Sequence, residues 1–256
     1  MIAAIPLPTN GLGFGFRFLN FHIRGTLVLI WFFCCAFAAL FVLPFRWKDP
    51  SMSALFARWL AWGCQPALGV SVRVEGEHNV ERAQPCVYAV NHQSNIDVIT
   101  MAGMYPWRTV VIGKEVLKWI PFFGLFFIGT GNILINRRDR KNSLSGLAKA
   151  AEAIRERNVS VWIFPEGTRN HGRVPLLPFK KGAFYMAIQA QVPVVPIVND
   201  SILKFYDFRK KWIRPANLVI KVLDPIPTLG MTDADVPSLM ARVRDVMEAA
   251  QSPVSE

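Results

Sequence analysis

Metal-binding and redox-active side chains are few in this chain of 256 residues, which contains only four histidines and four cysteines. The histidines form no H-E-x-x-H or similar cluster. The cysteines have neither metal-ligand spacing nor the framework of a disulfide-stabilised domain, and two of them lie inside an apolar run. The sequence therefore predicts no metal site and excludes the small disulfide-rich class of fold.

The chain also lacks a serine in a G-x-S-x-G setting, which is where many hydrolases place their nucleophile. It does contain the string N-H-Q-S-N-I-D at residues 91–97, in which His92 and Asp97 stand five positions apart. On a helix these two side chains would lie about 140° apart, so they can meet only across a loop. In that loop Asp97 would orient His92 and leave its second ring nitrogen as a base near neutral pH. The alternative is that His92 caps a strand and Asp97 caps the next helix.

Acidic residues are also scarce, with 18 Asp and Glu against 29 Lys and Arg, and the imbalance is localised. Residues 108–221 contain 20 basic and 7 acidic side chains, whereas residues 222–256 contain 2 and 6. A basic field of this size suits nucleic acid, anionic lipid headgroups or a phosphorylated substrate. Because no nucleic-acid module signature accompanies it, the sequence predicts no nucleic-acid partner.

The apolar residues are concentrated near the N-terminus. Residues 25–45 carry no charge and would form a helix about 31 Å long, enough to span a bilayer. Residues 51–68 are rich in apolar side chains and carry a single charge, Arg58. We expect residues 1–68 to form membrane-anchoring helices and residues 69–256 to form a catalytic domain. A hairpin in one leaflet, one span with an interfacial helix, and buried core helices all remain open.

The remainder of the chain alternates between short apolar runs and helical patterns. Strands are expected at residues 70–75, 87–90, 109–112, 133–136, 159–164, 192–198 and 218–222. Helices are expected at 96–103, from 142 or 143 to about 157, at 182–190 and at 237–250. This alternation predicts an α/β fold with a mixed sheet flanked by helices.

Two further strings stand at the ends of predicted strands. In F-P-E-G-T-R, residues 164–169, a turn through Pro and Gly would project Glu166 and Arg169 into a crevice, where they could hold a hydroxyl and a phosphate. Arg137 ends the string at 131–137, and its planar guanidinium suits an anionic headgroup. The alternatives are a surface turn with a local ion pair and a solvated run of charge.

Taken together, these strings resemble the glycerophospholipid acyltransferase family, and within it the branch that acylates 1-acylglycerol-3-phosphate. The resemblance covers residues 76–196 approximately. It rests on N-H-x-x-x-x-D at 91–97, G-x-I-x-I-x-R at 131–137, F-P-E-G-T-R at 164–169 and V-P-x-x-P at 192–196.

The resemblance implies a role for each matched residue. His92 would be the general base on an acceptor hydroxyl, and Asp97 would orient it. The implied substrate-binding residues are Lys114, Arg137, Glu166, Gly167, Thr168 and Arg169. The acceptor would be lysophosphatidic acid and the donor an acyl-CoA or an acyl-carrier protein, with no cofactor and no acyl-enzyme.

The implied partners also fix an expected location. Lysophosphatidic acid resides in a membrane while the thioesters are cytosolic, so the catalytic domain should lie on the cytosolic side of the inner membrane or of another cytosol-facing membrane. Two alternatives remain open. One is an acyltransferase for another lyso-lipid, such as a lysophospholipid or a lyso-ornithine lipid, and the other is a membrane-bound scaffold that keeps the fold without the chemistry.

Overall fold

The chain begins with two packed helices. The computed structural model describes residues 11–136, 140–172, 174 and 176–251. Helix α1, Gly11–Val42, is followed by a single helical turn and by α2, Ser51–Leu68. The indole N–H of Trp31 in α1 donates to the carbonyl of Trp59 in α2 at 2.8 Å. Gly69, at φ 72°, adopts the left-handed conformation that ends α2.

One side of α1 is both apolar and exposed. Successive residues of an α-helix are rotated by about 100° around its axis. Six exposed apolar side chains of α1 lie within about 80° of one another around that axis, and we call them the apolar face of α1. They are Leu19, Ile23, Leu27, Ile30, Phe37 and Phe41. The opposite side is buried against the rest of the molecule through Cys35, Ala36 and Ala39. Within the described ranges, Gly15–Phe45 is the one stretch long and apolar enough to cross a membrane.

A seven-stranded mixed sheet forms the centre of the fold. Its strands are β1 Val70–Glu75, β2 Val87–Val90, β3 Thr109–Lys114, β4 Ile133–Ile135, β5 Ser160–Ile163, β6 Val194–Asn199 and β9 Ala216–Val222. They lie in the order β1-β9-β6-β2-β5-β3-β4. Neighbouring strands are parallel except for β6 and β9, which are antiparallel. All four residues of β2 are buried, as expected for a parallel strand covered on both faces.

Helices cover both faces of this sheet. The remaining ones are α3 His78–Arg82, α4 Asp97–Thr100, α5 Phe123–Gly129, α6 Arg140–Arg157, α7 Gly182–Ala190 and α8 Val236–Ala250. Apolar side chains of α1 and α2 share one core cluster with Tyr88 and Ile197 of the sheet. Those of α6, α7 and α8 form the second cluster, which includes Val87 and Val194. A two-stranded hairpin, β7 Tyr206–Asp207 and β8 Trp212–Ile213, stands apart from the sheet.

The predicted α/β fold with a mixed sheet flanked by helices is confirmed, but several elements differ from expectation. Helix α1 begins at Gly11 rather than near residue 25, because Arg17 and Arg24 interrupt the hydropathy without interrupting the helix. Helix α5 and the β7–β8 hairpin were not predicted. The predicted boundary at Leu68 coincides with the end of α2, although both N-terminal helices pack into the same core as the sheet. The division into two domains stays a prediction.

Candidate active site

Five parallel strands end at one edge of the sheet, and the predicted site residues follow them. Strand β2 lies between β6 and β5, so the loop after β2 is next to the loop after β5. The backbone N–H of Asn170 donates to the carbonyl of His92 at 2.9 Å, and that of His171 donates to Gln93 at 3.0 Å. The carboxyl ends of parallel strands are where α/β folds commonly bind ligands. The structure therefore brings residues 91–97 and 164–169 together.

His92 and Asp97 meet across the loop. The Nδ1 atom of His92 lies 2.8 Å from Oδ2 of Asp97, and that oxygen also accepts the backbone N–H groups of Gln93 at 2.7 Å and Ser94 at 2.9 Å. The Asp97 side chain is 1% exposed and that of His92 is 18% exposed. Because a carboxylate only accepts, Nδ1 of neutral His92 carries the proton and Nε2 keeps its lone pair. Asp97 is the first residue of α4, whose N-cap is Ile96, and its carboxylate binds the loop before the helix, so the alternative of Asp97 as a helix cap is wrong.

The ring of His92 is held in orientation by a second contact. Phe164 stacks on it with ring centroids 4.0 Å apart and an angle of 18° between the planes. A stacked phenyl ring and a hydrogen-bonded carboxylate together leave the imidazole little rotational freedom. The pair is therefore organised before any substrate arrives, as a general base requires.

Glu166 supports the His92 loop through hydrogen bonds to the backbone. Its Oε1 accepts the backbone N–H of His92 at 2.6 Å, and its Oε2 accepts the backbone N–H of Leu177 at 2.8 Å and the side-chain amide of Asn170 at 3.3 Å. Burial raises the pKa of this carboxyl group, while the backbone donors act in the opposite direction. The resemblance implied a substrate-binding Glu166, whereas the carboxylate lies buried among protein donors. Its geometry indicates a positioning role.

The end of β6 anchors the other side of the loop. Asn91 and Asn199 exchange two hydrogen bonds, from the Asn199 N–H to Asn91 Oδ1 at 2.7 Å and from Asn91 Nδ2 to the Asn199 carbonyl at 3.2 Å. Gln93 donates to the carbonyls of Asn199 and Asp200, and its Oε1 accepts the N–H of Ile202. The residues on both sides of His92 are thus fixed to β6.

Four of the other predicted binding residues lie at the carboxyl ends of the neighbouring strands β3 and β5. Lys114 is exposed at the end of β3, and Thr168 is exposed in the turn after β5. Arg169 is half-buried in that turn. Gly167 has φ 69°, a left-handed conformation, and a side chain there would collide with the stem of Lys180, 2.8 Å from the position of its Cβ. The predicted role of Arg137 lies outside the described residues.

The sequence reasoning missed several supporting residues. Asn170 and Asn199 stand outside the quoted strings, and Gln93 stands at a variable position of the string at 91–97. Only their hydrogen bonds reveal that they hold the loop. Lys180 was not assigned to the site, and its stem lies over Gly167. Among the described residues, no group of three or more His, Cys, Asp or Glu side chains is arranged to hold a metal ion.

A histidine held by a carboxylate at the carboxyl edge of an α/β sheet is an arrangement that suits general-base chemistry on a hydroxyl group. The acyltransferase family model matches residues 71–200, which include both strings of the site, and the chain belongs to that family. The resemblance to acyltransferases drawn from the motifs is therefore confirmed.

Curated relatives extend this match. The 1-acyl-sn-glycerol-3-phosphate acyltransferase of Haemophilus influenzae is 39% identical over 203 residues, which is 79% of this chain and 83% of that protein. The human 1-acyl-sn-glycerol-3-phosphate acyltransferase alpha is 42% identical over 70% of this chain, which spans 63% of the human protein.

A solved structure supports the fold. The crystal structure of the 1-acyl-sn-glycerophosphate acyltransferase PlsC from Thermotoga maritima superposes with a TM-score of 0.70, at 23% identity. The superposition covers 93% of this chain and 94% of that one. At this identity the likeness establishes the architecture.

Proposed function

We propose that this chain transfers a fatty acyl group from an acyl thioester to the sn-2 hydroxyl of 1-acylglycerol-3-phosphate, giving phosphatidic acid. The observation that carries the proposal is the buried contact of 2.8 Å between His92 Nδ1 and Asp97 Oδ2, which leaves Nε2 as a base. The names and identities of the curated relatives support the acceptor. The chain supplies a base and an orienting carboxylate, and the lipid supplies the nucleophile.

The proposed reaction proceeds by direct transfer. His92 Nε2 removes the proton of the acceptor hydroxyl while that oxygen attacks the thioester carbonyl. Asp97 stabilises the imidazolium that forms, since its carboxylate is already hydrogen-bonded to Nδ1. When the tetrahedral intermediate collapses, the thiolate leaves and takes the proton from His92. No acyl-enzyme and no cofactor is required.

Cationic side chains around the pair would hold the phosphate of the acceptor. Arg169 and Lys114 lie at the same edge of the sheet as His92, with Arg169 in the turn that contacts the His92 loop. Guanidinium groups bind phosphate through paired charge-assisted hydrogen bonds. We propose that these two residues, with Arg137, Gly167 and Thr168, bind the glycerol phosphate, and that Glu166 acts through the loop it supports.

The apolar face of α1 suggests where the reaction occurs. A stripe of large apolar side chains on the outside of a protein is typical of a surface that contacts lipid. We propose that α1 and α2 anchor the chain to a membrane, with the catalytic site on the cytosolic side, where acyl-CoA and acyl-carrier protein are found. The inner membrane is the expected location in a bacterium.

An acyl-transfer assay with purified full-length protein in neutral detergent tests the function. The acceptors are 1-acylglycerol-3-phosphate, lysophosphatidylcholine and a lyso-ornithine lipid, each with acyl-CoA and with acyl-carrier protein as donor. We expect the phosphate monoester acceptor to be used at the highest kcat/KM. Preferential use of another lyso-lipid would support the alternative acceptor, and no transfer to any of them would contradict the proposed activity.

A further inference from the structure

The β7–β8 hairpin carries a compact cluster of positive charge. Residues 205–214 contain four basic side chains and one acidic side chain. Arg209 and Lys210 are exposed at its turn, and the neighbouring Phe208 is 62% exposed. The ammonium group of Lys211 lies 3.5 Å from the centre of the Phe208 ring. Cations beside an exposed aromatic ring combine a polar and an apolar contact in one small surface.

The turn is held in a defined shape. The Oδ1 atom of Asp207 accepts the backbone N–H of Arg209 at 2.8 Å and that of Lys210 at 3.0 Å. At the base of the hairpin, Phe205 and Ile213 are buried in the core. The exposed side chains are therefore presented by a fixed backbone, which lowers the entropic cost of binding a partner.

The hairpin packs against the N-terminal part of α1. The ring of Phe21 in α1 stacks on Tyr206 with centroids 5.8 Å apart, and it lies 5.3 Å from the ammonium group of Lys211. Phe18, which lies within one turn of Phe21 in α1, is also exposed. No acidic residue occurs in the chain before Asp49, so α1 adds no negative charge near the hairpin. If α1 enters the apolar layer of a membrane, the hairpin lies at headgroup level.

We propose that the β7–β8 hairpin binds the anionic phospholipid headgroups of the membrane surface. The proposal rests on the membrane-bound function proposed above and adds a second, charge-dependent contact to the apolar one made by α1. An acidic protein would complement the charge, but the exposed Phe208 and the direct packing on α1 favour a lipid surface. Ile202, which precedes the hairpin, also donates its N–H to Gln93 beside His92. Binding there would hold the active-site edge close to the lipid.

The test measures how strongly the full-length protein prefers anionic vesicles. Partition from dilute detergent is measured onto vesicles of phosphatidylcholine alone and of phosphatidylcholine with phosphatidylglycerol, and the ratio of the two removes the apolar contribution. The double variant Arg209→Gln/Lys210→Gln leaves the Asp207 backbone contacts intact. Each basic residue near a charged membrane contributes about fivefold, so we expect this ratio to fall by roughly 25-fold.

The matched control, Lys149→Gln/Arg242→Gln, removes the same charge from exposed positions on α6 and α8, on the other layer. We expect it to retain most of the preference for anionic vesicles. Amide hydrogen exchange gives a second readout, because peptides covering residues 205–214 should be protected on anionic vesicles in the parent and not in the hairpin variant.

Three results would overturn the proposal: no preference of the parent for phosphatidylglycerol, an equal loss in the control, or no anion-dependent protection of the hairpin. Acyl transfer by the parent in neutral detergent reports on the proposed function separately. A parent that transfers acyl groups but ignores phosphatidylglycerol contradicts the hairpin proposal alone. A parent that prefers phosphatidylglycerol but transfers nothing contradicts the enzymatic proposal.

Discussion

Replacing Asp97 with asparagine removes a charge while keeping most of the geometry of the site. The amide oxygen can take the place of Oδ2 and accept the same three donors, from His92, Gln93 and Ser94. The amide nitrogen would then occupy the place of Oδ1, which is buried and has no hydrogen-bond partner within the described residues. The loop is therefore expected to keep its conformation, and His92 its tautomer.

The expected loss in rate follows from the missing charge. An imidazolium and a carboxylate about 4 Å apart attract each other by about 4 kcal/mol at an effective dielectric constant of 20. A neutral hydrogen bond to the substituted amide would retain roughly 1 kcal/mol of this. The transition state thus loses about 3 kcal/mol, and kcat should fall by roughly 10²-fold. The KM for the acceptor should change little, because Asp97 is buried beneath His92 and contacts no substrate.

Steady-state acyl transfer and thermal unfolding in the same detergent measure the two effects. In Asp97→Asn, an amide oxygen accepts the two backbone N–H groups more weakly than a carboxylate does. This should lower the free energy of unfolding by about 1 to 2 kcal/mol and Tm by roughly 2 to 8 °C. Asp97→Ala should lower Tm further, since three donors would lose their acceptor. A variant Asp97→Asn with a kcat within threefold of the parent would refute the electrostatic role of Asp97.

Three other changes test other parts of the account. Arg169→Ala should raise the KM for 1-acylglycerol-3-phosphate roughly 10- to 100-fold through a lost charge-assisted contact, with a smaller change in kcat, as acceptor titrations would show. Glu166→Gln should destabilise the fold by about 1 to 3 kcal/mol, because an amide cannot accept hydrogen bonds at both ends. Burial raises the pKa of Glu166 in the folded protein. Its contribution to stability is therefore present at acid pH and is lost as pH rises through the pKa of the folded state. The free energy of unfolding of the parent, relative to that of the variant, should increase as pH falls from about 7 towards about 5. Leu27→Gln/Ile30→Gln/Phe41→Gln should weaken partition onto vesicles by roughly 10⁴-fold, at about 2 kcal/mol for each side chain.

Each of these changes has a result that would contradict it, and two of them have a control variant. Arg242→Ala removes an exposed arginine of α8 that has no predicted role in the site, so an acceptor KM raised equally in both variants would contradict the role of Arg169. If the difference in unfolding free energy between the parent and Glu166→Gln stayed constant with pH, it would contradict the raised pKa of Glu166. Leu229→Gln changes an exposed apolar side chain in the loop after β9, and equal effects on partition would contradict a specific role for the apolar face of α1.

The pattern of the sequence predicts the core elements because their signals are local. Strands β1 and β2 begin and end at the expected residues, since apolar runs bounded by Gly76 and by the His92 loop mark their limits. The β7–β8 hairpin was missed because its strands have two residues each and its turn is dominated by charge. Its stability comes from packing on α1, a contact between residues nearly 200 positions apart.

The residues of the site likewise divide into those with a local sequence signal and those that only tertiary contacts place. The spacing of His92 and Asp97 allows them to meet, because a short loop needs only local turns to join them, and the resemblance to the acyltransferases selects this pairing over separate caps. The place of Glu166 could not be predicted, since its partner Leu177 lies eleven residues along the chain and its partner His92 lies on another strand end. A carboxylate in a motif can serve the substrate or the backbone, and only tertiary contacts separate these two uses.

The central claim is that His92 is the general base of acyl transfer, and the kcat of His92→Ala with 1-acylglycerol-3-phosphate tests it most directly. General-base catalysis contributes about 10²- to 10⁴-fold, so we predict a loss in that range. The acceptor KM should stay near that of the parent, and unfolding in detergent should confirm that the variant is folded. A folded variant that turns over as fast as the parent would contradict the claim.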